Sequence, residues 1–521
     1  MGNLDGDTSV AFLQAHLLTL ILFSPVAGGV LLLLIPRERL QTIRWAALLV
    51  SLIPFGLALW LWFAYQPGVA GYQFVEQAIW YEAIGSSYHL GVDGISVPMV
   101  MLTTLLTPLA ILISWSIEDN VRPYMALFLL LETGMLGVFM SLDLLIFFVF
   151  WEIGLIPMYF LINQWGSGNR DYASFKFLIY TMAGSLGLLL AIQMIGVASG
   201  TFDLIVITEK WSTLNQSLTL FGLPITLAIG TVKKIAFWAF VVAFAIKVPV
   251  WPFHTWLPDA HTEAPTAGSM ILAGVLLKLG AYGFLRLVLP LYPVEAKYFA
   301  GALGLLAVLA IILGAFASWG QDDFKRLVAY SSVNHMGFVV LGIAAAAFAQ
   351  GTMQADDAII AINGAVLQMF NHGLSAAGMF LLVGVIYDRA HTRDLNELGG
   401  LFPLAPIYGG ILIFTAMASL GLPGLNGFVS EFLVVRGSWP IFTLYTALSM
   451  LGLLITGAYI LKGIAKVLHG PLNEKWLGHK MEINRREIIA IAPLMFLMLL
   501  IGVWPAWILN VINQTVKFLF G

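Results

Sequence analysis

Apolar runs of about 20 residues, divided by short polar stretches, recur along the whole chain. About 20 apolar residues in helical conformation span the hydrocarbon core of a bilayer. The pattern predicts fourteen helices, at 15–35, 44–65, 98–116, 122–141, 143–164, 172–199, 231–250, 264–288, 297–318, 323–346, 357–386, 403–435, 442–468 and 488–512. The segment 201–230 reads as a mixed loop outside that count, and 66–97, which has no Lys or Arg, as a long external loop. The first helix does not read as a cleavable signal peptide. Its flank carries Asp5 and Asp7 rather than positive charge, and no small-residue cleavage pattern follows.

Composition sharpens this into an all-α polytopic membrane protein. Charged residues are 10% of the 521, against about 25% in soluble domains, and hydrophobic residues are 60%. A net charge of −3 gives no reason to expect nucleic acid as a partner. The absence of cysteine excludes disulfides, Cys-ligated zinc and ordinary Fe–S clusters in this chain. No Gly-rich phosphate loop follows a strand pattern. Fifteen Lys and Arg fall in the odd-numbered loops and seven in the even-numbered loops and tails. The positive-inside rule then puts both termini on the non-cytoplasmic side.

Three basic residues, Lys247, Lys278 and Lys462, and three acidic ones, Glu132, Glu152 and Glu431, remain inside predicted spans. A charge at bilayer depth costs at least about 2.5–3.5 kcal/mol, so such groups face the bundle interior, pair, or line a hydrated path. Lys462 is close enough to the end of its span to snorkel. Lys247 precedes Pro249, Pro252 and Pro258, and Glu431 follows Gly421, Pro423, Gly424 and Gly427. Each break frees backbone groups that only protein or water can satisfy. Interrupted helices in corresponding places of two halves point to an ion path, so a two-fold internal repeat is expected. His335 and His372 fall mid-span and suit proton relay, since imidazole titrates near neutrality. His254, Asp259 and His261 cluster after the first break, but without a metal-binding pattern, and no metal site is assigned to them.

The motif FFVFWEIGLIPMYFLI around Glu152 resembles the fifth helix of the antiporter-like subunits of respiratory complex I, the proton-translocating NADH-quinone oxidoreductase. KVPVWPFHTWLPDAHTEAPTAGS (247–269) and LAGVLLKLGAYGFLR (272–286) are similar to their seventh and eighth helices, and LPGLNGFVSEF to their twelfth. APTAGS, and Glu431 where sister subunits carry lysine, place the likeness within one branch of that family. The resemblance implies fourteen helices with two inverted five-helix repeats, each with one broken helix. The repeats would occupy 122–290 and 291–470, between an N-terminal region 1–121 and a C-terminal loop and helix 471–521. It implies a relay through Glu132, Glu152, Lys247, Lys278, His335, His372 and Glu431. Glu132/Glu152 and Lys247 would form a switchable ion pair, and Glu431 would release protons outside. NAD, flavin, Fe–S clusters and quinone are expected in partner subunits, with no cofactor in this chain. Its partners would be other membrane-arm subunits, sister antiporter-like subunits among them. The location implied is the cell (inner) membrane, or a thylakoid for a photosynthetic-type complex. Competing expectations are a subunit of a multi-subunit sodium/proton antiporter, the equivalent subunit of a ferredoxin-dependent complex or membrane-bound hydrogenase, and a non-pumping membrane anchor.

Overall fold

A computed structural model describes residues 14–211, 213–214, 218–219 and 226–520. The reading of Asp5 and Asp7 lies outside the described residues. The helices are α1 Leu17–Leu32, α2 Leu40–Ala64, α3 Ser96–Ser116, α4 Val121–Met140, α5 Leu144–Trp165, α6 Arg170–Ser199 and α7a Ile229–Lys247 with α7b Trp256–Glu263. There follow α8 Thr266–Leu291, α9 Pro293–Trp319, α10 Phe324–Ala349, α11 Ala355–Ala390, α12a Pro406–Leu420 with α12b Asn426–Ser438, α13 Thr443–Leu468, α14 Arg485–Val503 and α15 Ala506–Phe520. Among the described residues, 12 helices are long and apolar enough to cross a membrane. The shorter α1 and the interrupted α12 complete the fourteen expected.

Three features depart from the hydropathy reading. The loop 66–97 folds into an antiparallel hairpin, β1 Gln73–Tyr81 with β2 Ser86–Val92. Within 201–230 a short helix runs over Leu204–Trp211. The final apolar run divides at Pro505 into α14 and α15, because proline lacks the N–H that would continue α14.

Helix ends are held by side chains from elsewhere in the fold. Glu76 of β1 accepts from Leu18 N (2.7 Å) and Thr19 N (3.3 Å), placing a carboxylate on the N-terminus of α1. On the opposite face, cations meet the helix C-termini. Arg122 donates to Leu33 O at 2.9 Å, beyond α1, and Arg44 to Ile117 O at 2.7 Å, beyond α3. Lys462 donates to Trp319 O (2.9 Å) and Gln321 O (2.7 Å), closing α9 rather than snorkelling. Lys325 caps α7b by donating to Ala264 O. The excess of basic residues on that face therefore has a local cause, since helices that end there present unpaired carbonyls. Arg286, counted above with an even loop, is instead buried within α8.

The internal repeat has a residue-level signature. Asp143 caps α5 through Leu145 N and Ile146 N, and its backbone bridges Asp203. Asp323 caps α10 through Arg326 N, and its backbone bridges Asp394. Asp203 and Asp394 each sit in a Thr-x-Asp-Leu sequence, at Thr201 and Thr392, and each N–H meets that threonine's hydroxyl at 3.2 Å. The first clasp lies on the hairpin face, where Leu142 N bonds His89 O (2.8 Å) and Phe202 N bonds Gly85 O (3.2 Å). The second lies on the opposite face, where Arg393 donates to Thr262 O beside α7b. The same device at opposite ends of the bundle is what inversion requires. At the first clasp, burial raises the Asp143 carboxyl above its ordinary range despite four donors. Asp203 is also buried, but its bond to His89 (2.9 Å), the His89 charge and the backbone N–H groups of Val206 and Ile205 together outweigh this and hold it below that range.

The bundle is layered. The hydropathic windows of α8 and α11 are 100% buried and that of α10 is 94%, against 28% for α2 and 33% for α13 and α14. Close approach of α8 to α7a depends on Gly280. A Cβ there would meet Phe244 O at 2.7 Å and Lys247 Cβ at 2.9 Å. Gly280→Ala is expected to lower stability by about 1–3 kcal/mol as the helices separate. Gly301→Ala, in α9 with nothing within 4 Å of the added carbon, should be neutral or raise stability by up to about 1 kcal/mol. Thermal unfolding of the detergent-solubilised protein separates the two.

Candidate proton-relay site

All seven residues singled out by charge and position lie inside the bundle. Glu132, Lys247, Lys278, His335, His372 and Glu431 are buried, and Glu152 is half-buried. The backbone is irregular beside four of them. α5 bends at Gly154, two residues after Glu152. Lys247 is the last residue of α7a, and the prolines after it leave Val250 N bonded to Ala245 O (2.9 Å) and Phe253 N to Val250 O (2.7 Å). Lys278 lies between two π-turns, Leu272–Leu276 and Phe284–Val288. Glu431 stands just over one turn into α12b, after a break in which Gly421 (φ 83°) and Gly424 (φ 95°) take left-handed conformations.

Lys278 of the first half and the groups of the second half form a series. Lys278 Nζ donates to Ala273 O, a carbonyl within the first π-turn, and meets His372 Nδ1 of α11 at 2.7 Å. The His372 and His335 rings are 5.7 Å apart between centroids. Between them lies a cavity of about 10 Å³ whose lining includes both histidines and the serines Ser331, Ser375 and Ser419. This is the lower limit of the room one water needs, about 10–15 Å³. His335 Nδ1 meets Glu431 Oε1 at 2.7 Å, and its Nε2 meets the Tyr459 hydroxyl at 3.2 Å. Gln368 donates to the same carboxylate oxygen at 3.0 Å and accepts from Ser430 at 2.5 Å. Asn371 donates to Asn426 O (2.7 Å) and Ser430 Oγ (2.9 Å), while Asn426 returns a bond to Asn371 O (3.1 Å). This reciprocal pair satisfies backbone at the α12 break, as burial in hydrocarbon demands.

The first half is more loosely wired. The Lys247 ammonium lies over the Trp151 ring, 4.9 Å from its centroid, with Glu152 near enough to act on it electrostatically. No ion pair of 4.0 Å or less joins Lys247 to either glutamate among the described residues. Among the described residues, neither carboxylate oxygen of Glu132 makes a hydrogen bond of 3.5 Å or less. Trp151 itself is anchored by its indole N–H donating to Ser185 at 3.0 Å.

The residues after the first break do not converge on an ion. Asp259 pairs with Lys176 (2.7 Å) and Arg326 (3.3 Å), and His261 stacks on Phe380 at 4.4 Å, its ring nitrogens making no hydrogen bond among the described residues. Among the described residues no group of three or more His, Asp or Glu is placed to hold a metal.

Sequence reasoning missed Gln368, Asn371, Ser430, Tyr459 and Trp151. For Gln368, Asn371 and His372 the signal was present, three polar residues at helical spacing inside an apolar run. A buried tyrosine or tryptophan gives no such signal. Asn371→Leu is expected to remove the buried bonds to Asn426 O and Ser430 Oγ and cost about 1–3 kcal/mol. Asn363→Leu, which breaks one part-buried bond to Asn513 (2.7 Å), should cost less in the same thermal measurement.

The chain was then compared with known proteins. The profile of a family described as "NADH:quinone oxidoreductase/Mrp antiporter, TM" matches residues 141–456. A relative from Rhodobacter capsulatus, named NADH-quinone oxidoreductase subunit M, is 41% identical over 97% of this chain and 96% of its own length. One from Marchantia polymorpha, named NADH-ubiquinone oxidoreductase chain 4, is 38% identical over 95% of each. Among solved structures, a chain of respiratory complex I from Thermus thermophilus with bound NADH superposes with a TM-score of 0.82 at 28% identity, covering 97% of this chain and 100% of that one.

Proposed function

Since the chain belongs to the NADH:quinone oxidoreductase/Mrp antiporter transmembrane family, we propose that it is the antiporter-like subunit of an NADH-quinone oxidoreductase that carries protons across the membrane. The observation that carries this reading is the series from Lys278 to His372, across a cavity of one water's size to His335, and on to Glu431.

The steps follow from the geometry. Lys278 gives a proton from Nζ to His372 Nδ1, which it already touches. The proton leaves His372 by the other ring nitrogen and crosses to His335 through one water held by the serine-lined cavity. His335 passes it from Nδ1 to Glu431 Oε1. Tyr459, donating to His335 Nε2, keeps the Nδ1 proton aimed at the carboxylate; when the ring is charged, the same oxygen accepts from Nε2–H. The first half supplies the switch. Opposite charges brought together stabilise each other's charged forms, and separation in a low dielectric favours the neutral ones. Trp151 holds Lys247 close to Glu152 without a fixed ion pair, so a small shift of α5 at Gly154 or of the α7 break alters the coupling. Moving one charge against 100 mV costs about 2.3 kcal/mol. One pKa unit corresponds to about 1.4 kcal/mol, so a swing of about two units suffices per proton.

Redox chemistry and its cofactors, NAD, flavin, Fe–S clusters and quinone, belong in this reading to partner subunits. The face bearing the cationic helix caps is cytoplasmic, which puts both termini outside. In this reading 122–290 and 291–470 are the two repeats, flanked in sequence by 1–121 and 471–521.

With the purified complex returned to sealed vesicles, Lys278→Met is expected to lower the number of protons exported per NADH oxidised, because the path through this subunit is lost while redox chemistry in the other subunits continues. Lys247→Ala should likewise abolish export through this subunit. Unchanged proton yield per NADH in both variants would overturn the reading. Export that depends on added sodium would favour a cation/proton antiporter instead.

A further inference from the structure

Lys278, Tyr282 and Arg286 recur every four residues along α8 and so lie on one helix face, leading from the relay toward the hairpin side of the bundle. The Tyr282 hydroxyl donates to Phe139 O at 2.9 Å and meets Ser96 Oγ at 2.9 Å. Arg286 is buried, and four of the five N–H donors of its guanidinium are engaged. Nε donates to the Tyr282 hydroxyl (3.3 Å), Nη1 to the Tyr72 hydroxyl (3.2 Å), and Nη2 to Asp93 Oδ1 (2.6 Å) and Ser96 Oγ (3.4 Å). The Tyr72 and Tyr282 rings flank it at 5.2 and 5.3 Å. Asp93, 3% exposed, also caps α3 through Ile95 N (3.0 Å) and Ser96 N (3.1 Å). Just beyond, on the hairpin face, lies a cavity of about 300 Å³ whose lining includes Pro67, Tyr72, Asp93, Gln514 and Lys517.

A polar stripe thus runs from the relay lysine to a cavity on the outer face, and the Asp93–Arg286 pair stands across it. We propose that this pair is an electrostatic seal that stops protons from passing between the outer cavity and Lys278. The proposal rests on the relay reading of Lys278. A guanidinium keeps its proton at any working pH, so it cannot serve as a stepping stone. Its fixed charge opposes the approach of a hydrated proton, as a pore-lining arginine does in other membrane conduits. Asp93 answers the cost of burying that charge. Without the arginine, Asp93 is left as a carboxylate able to take a proton from the cavity and hand it to the Tyr282–Lys278 stripe.

The test uses the assembled complex in sealed vesicles. Passive proton flux after a pH jump is read with electron transfer blocked, so the assay does not depend on pumping. Arg286→Gln is expected to raise that flux about threefold or more, while Arg286→Lys, which keeps the positive charge, should stay within about twofold of the native complex. Adding Lys278→Met to Arg286→Gln should return the flux to background. Unchanged flux in Arg286→Gln overturns the seal, and flux that persists in the double variant overturns the path. Failure of the relay itself shows separately, as continued pumping in the Lys278→Met single variant. If Arg286→Gln does not assemble, the absence of native cysteine in this chain allows single cysteines in an otherwise native complex. An impermeant thiol reagent added from the outer face should label Gln514→Cys in the cavity and spare Ser96→Cys behind the pair. Labelling of both overturns the proposal.

Discussion

Hydrocarbon cannot solvate a charge or an unpaired peptide group, and both constraints meet at the same places in this chain. Glu152 stands beside the bend in α5, Lys247 at the end of α7a, Lys278 between two π-turns, and Glu431 just past the α12 break. Irregular backbone releases carbonyls and amides that need partners, and a buried side chain needs partners too. Each meets part of the other's requirement. The Lys278 ammonium takes a carbonyl from the neighbouring π-turn, and the amides of Asn371 and Asn426 close the α12 break beside Glu431. The breaks and the charges are one arrangement.

The two halves share topology but not wiring. The Asp143–Asp203 and Asp323–Asp394 clasps repeat at opposite ends of the bundle. Helices five and seven bring Glu152 near Lys247, and helices ten and twelve bring His335 against Glu431. The second pair is in contact at 2.7 Å; the first is mediated by the Trp151 ring. A contact that is already made can conduct, whereas one held slightly open can be switched. In the proposed reading that division gives switching to the Glu152–Lys247 pair and conduction to the His335–Glu431 pair.

Much of this was legible in the chain. Run length set the helix count, because bilayer thickness fixes it, and proline and glycine placed both broken helices. The rarity of charge in apolar sequence singled out Lys247, Lys278, Lys462, Glu132, Glu152 and Glu431, because a charge at that depth is costly. What stayed hidden was set by contacts between distant segments. The hairpin at 73–92 alternates too weakly to stand out. The kink at Gly154, with Pro157 one turn on, and the π-turns of α8 lie inside continuous apolar runs, so hydropathy did not separate them. Lys462 looked like a snorkelling side chain because its acceptors, Trp319 O and Gln321 O, are more than 140 residues away. The Thr-x-Asp-Leu repeat was visible but too short to weigh until each Asp was seen to clasp a helix cap.

The central claim is that Lys278 and Glu431 serve one path in series. A double-mutant cycle tests it most directly, with protons exported per NADH oxidised measured for each single neutralisation and for both together. Members of one series path are strongly non-additive. The account requires the double variant to lose no more than the worse single one. Losses that multiply would mean that the two residues act on separate routes, and would contradict it.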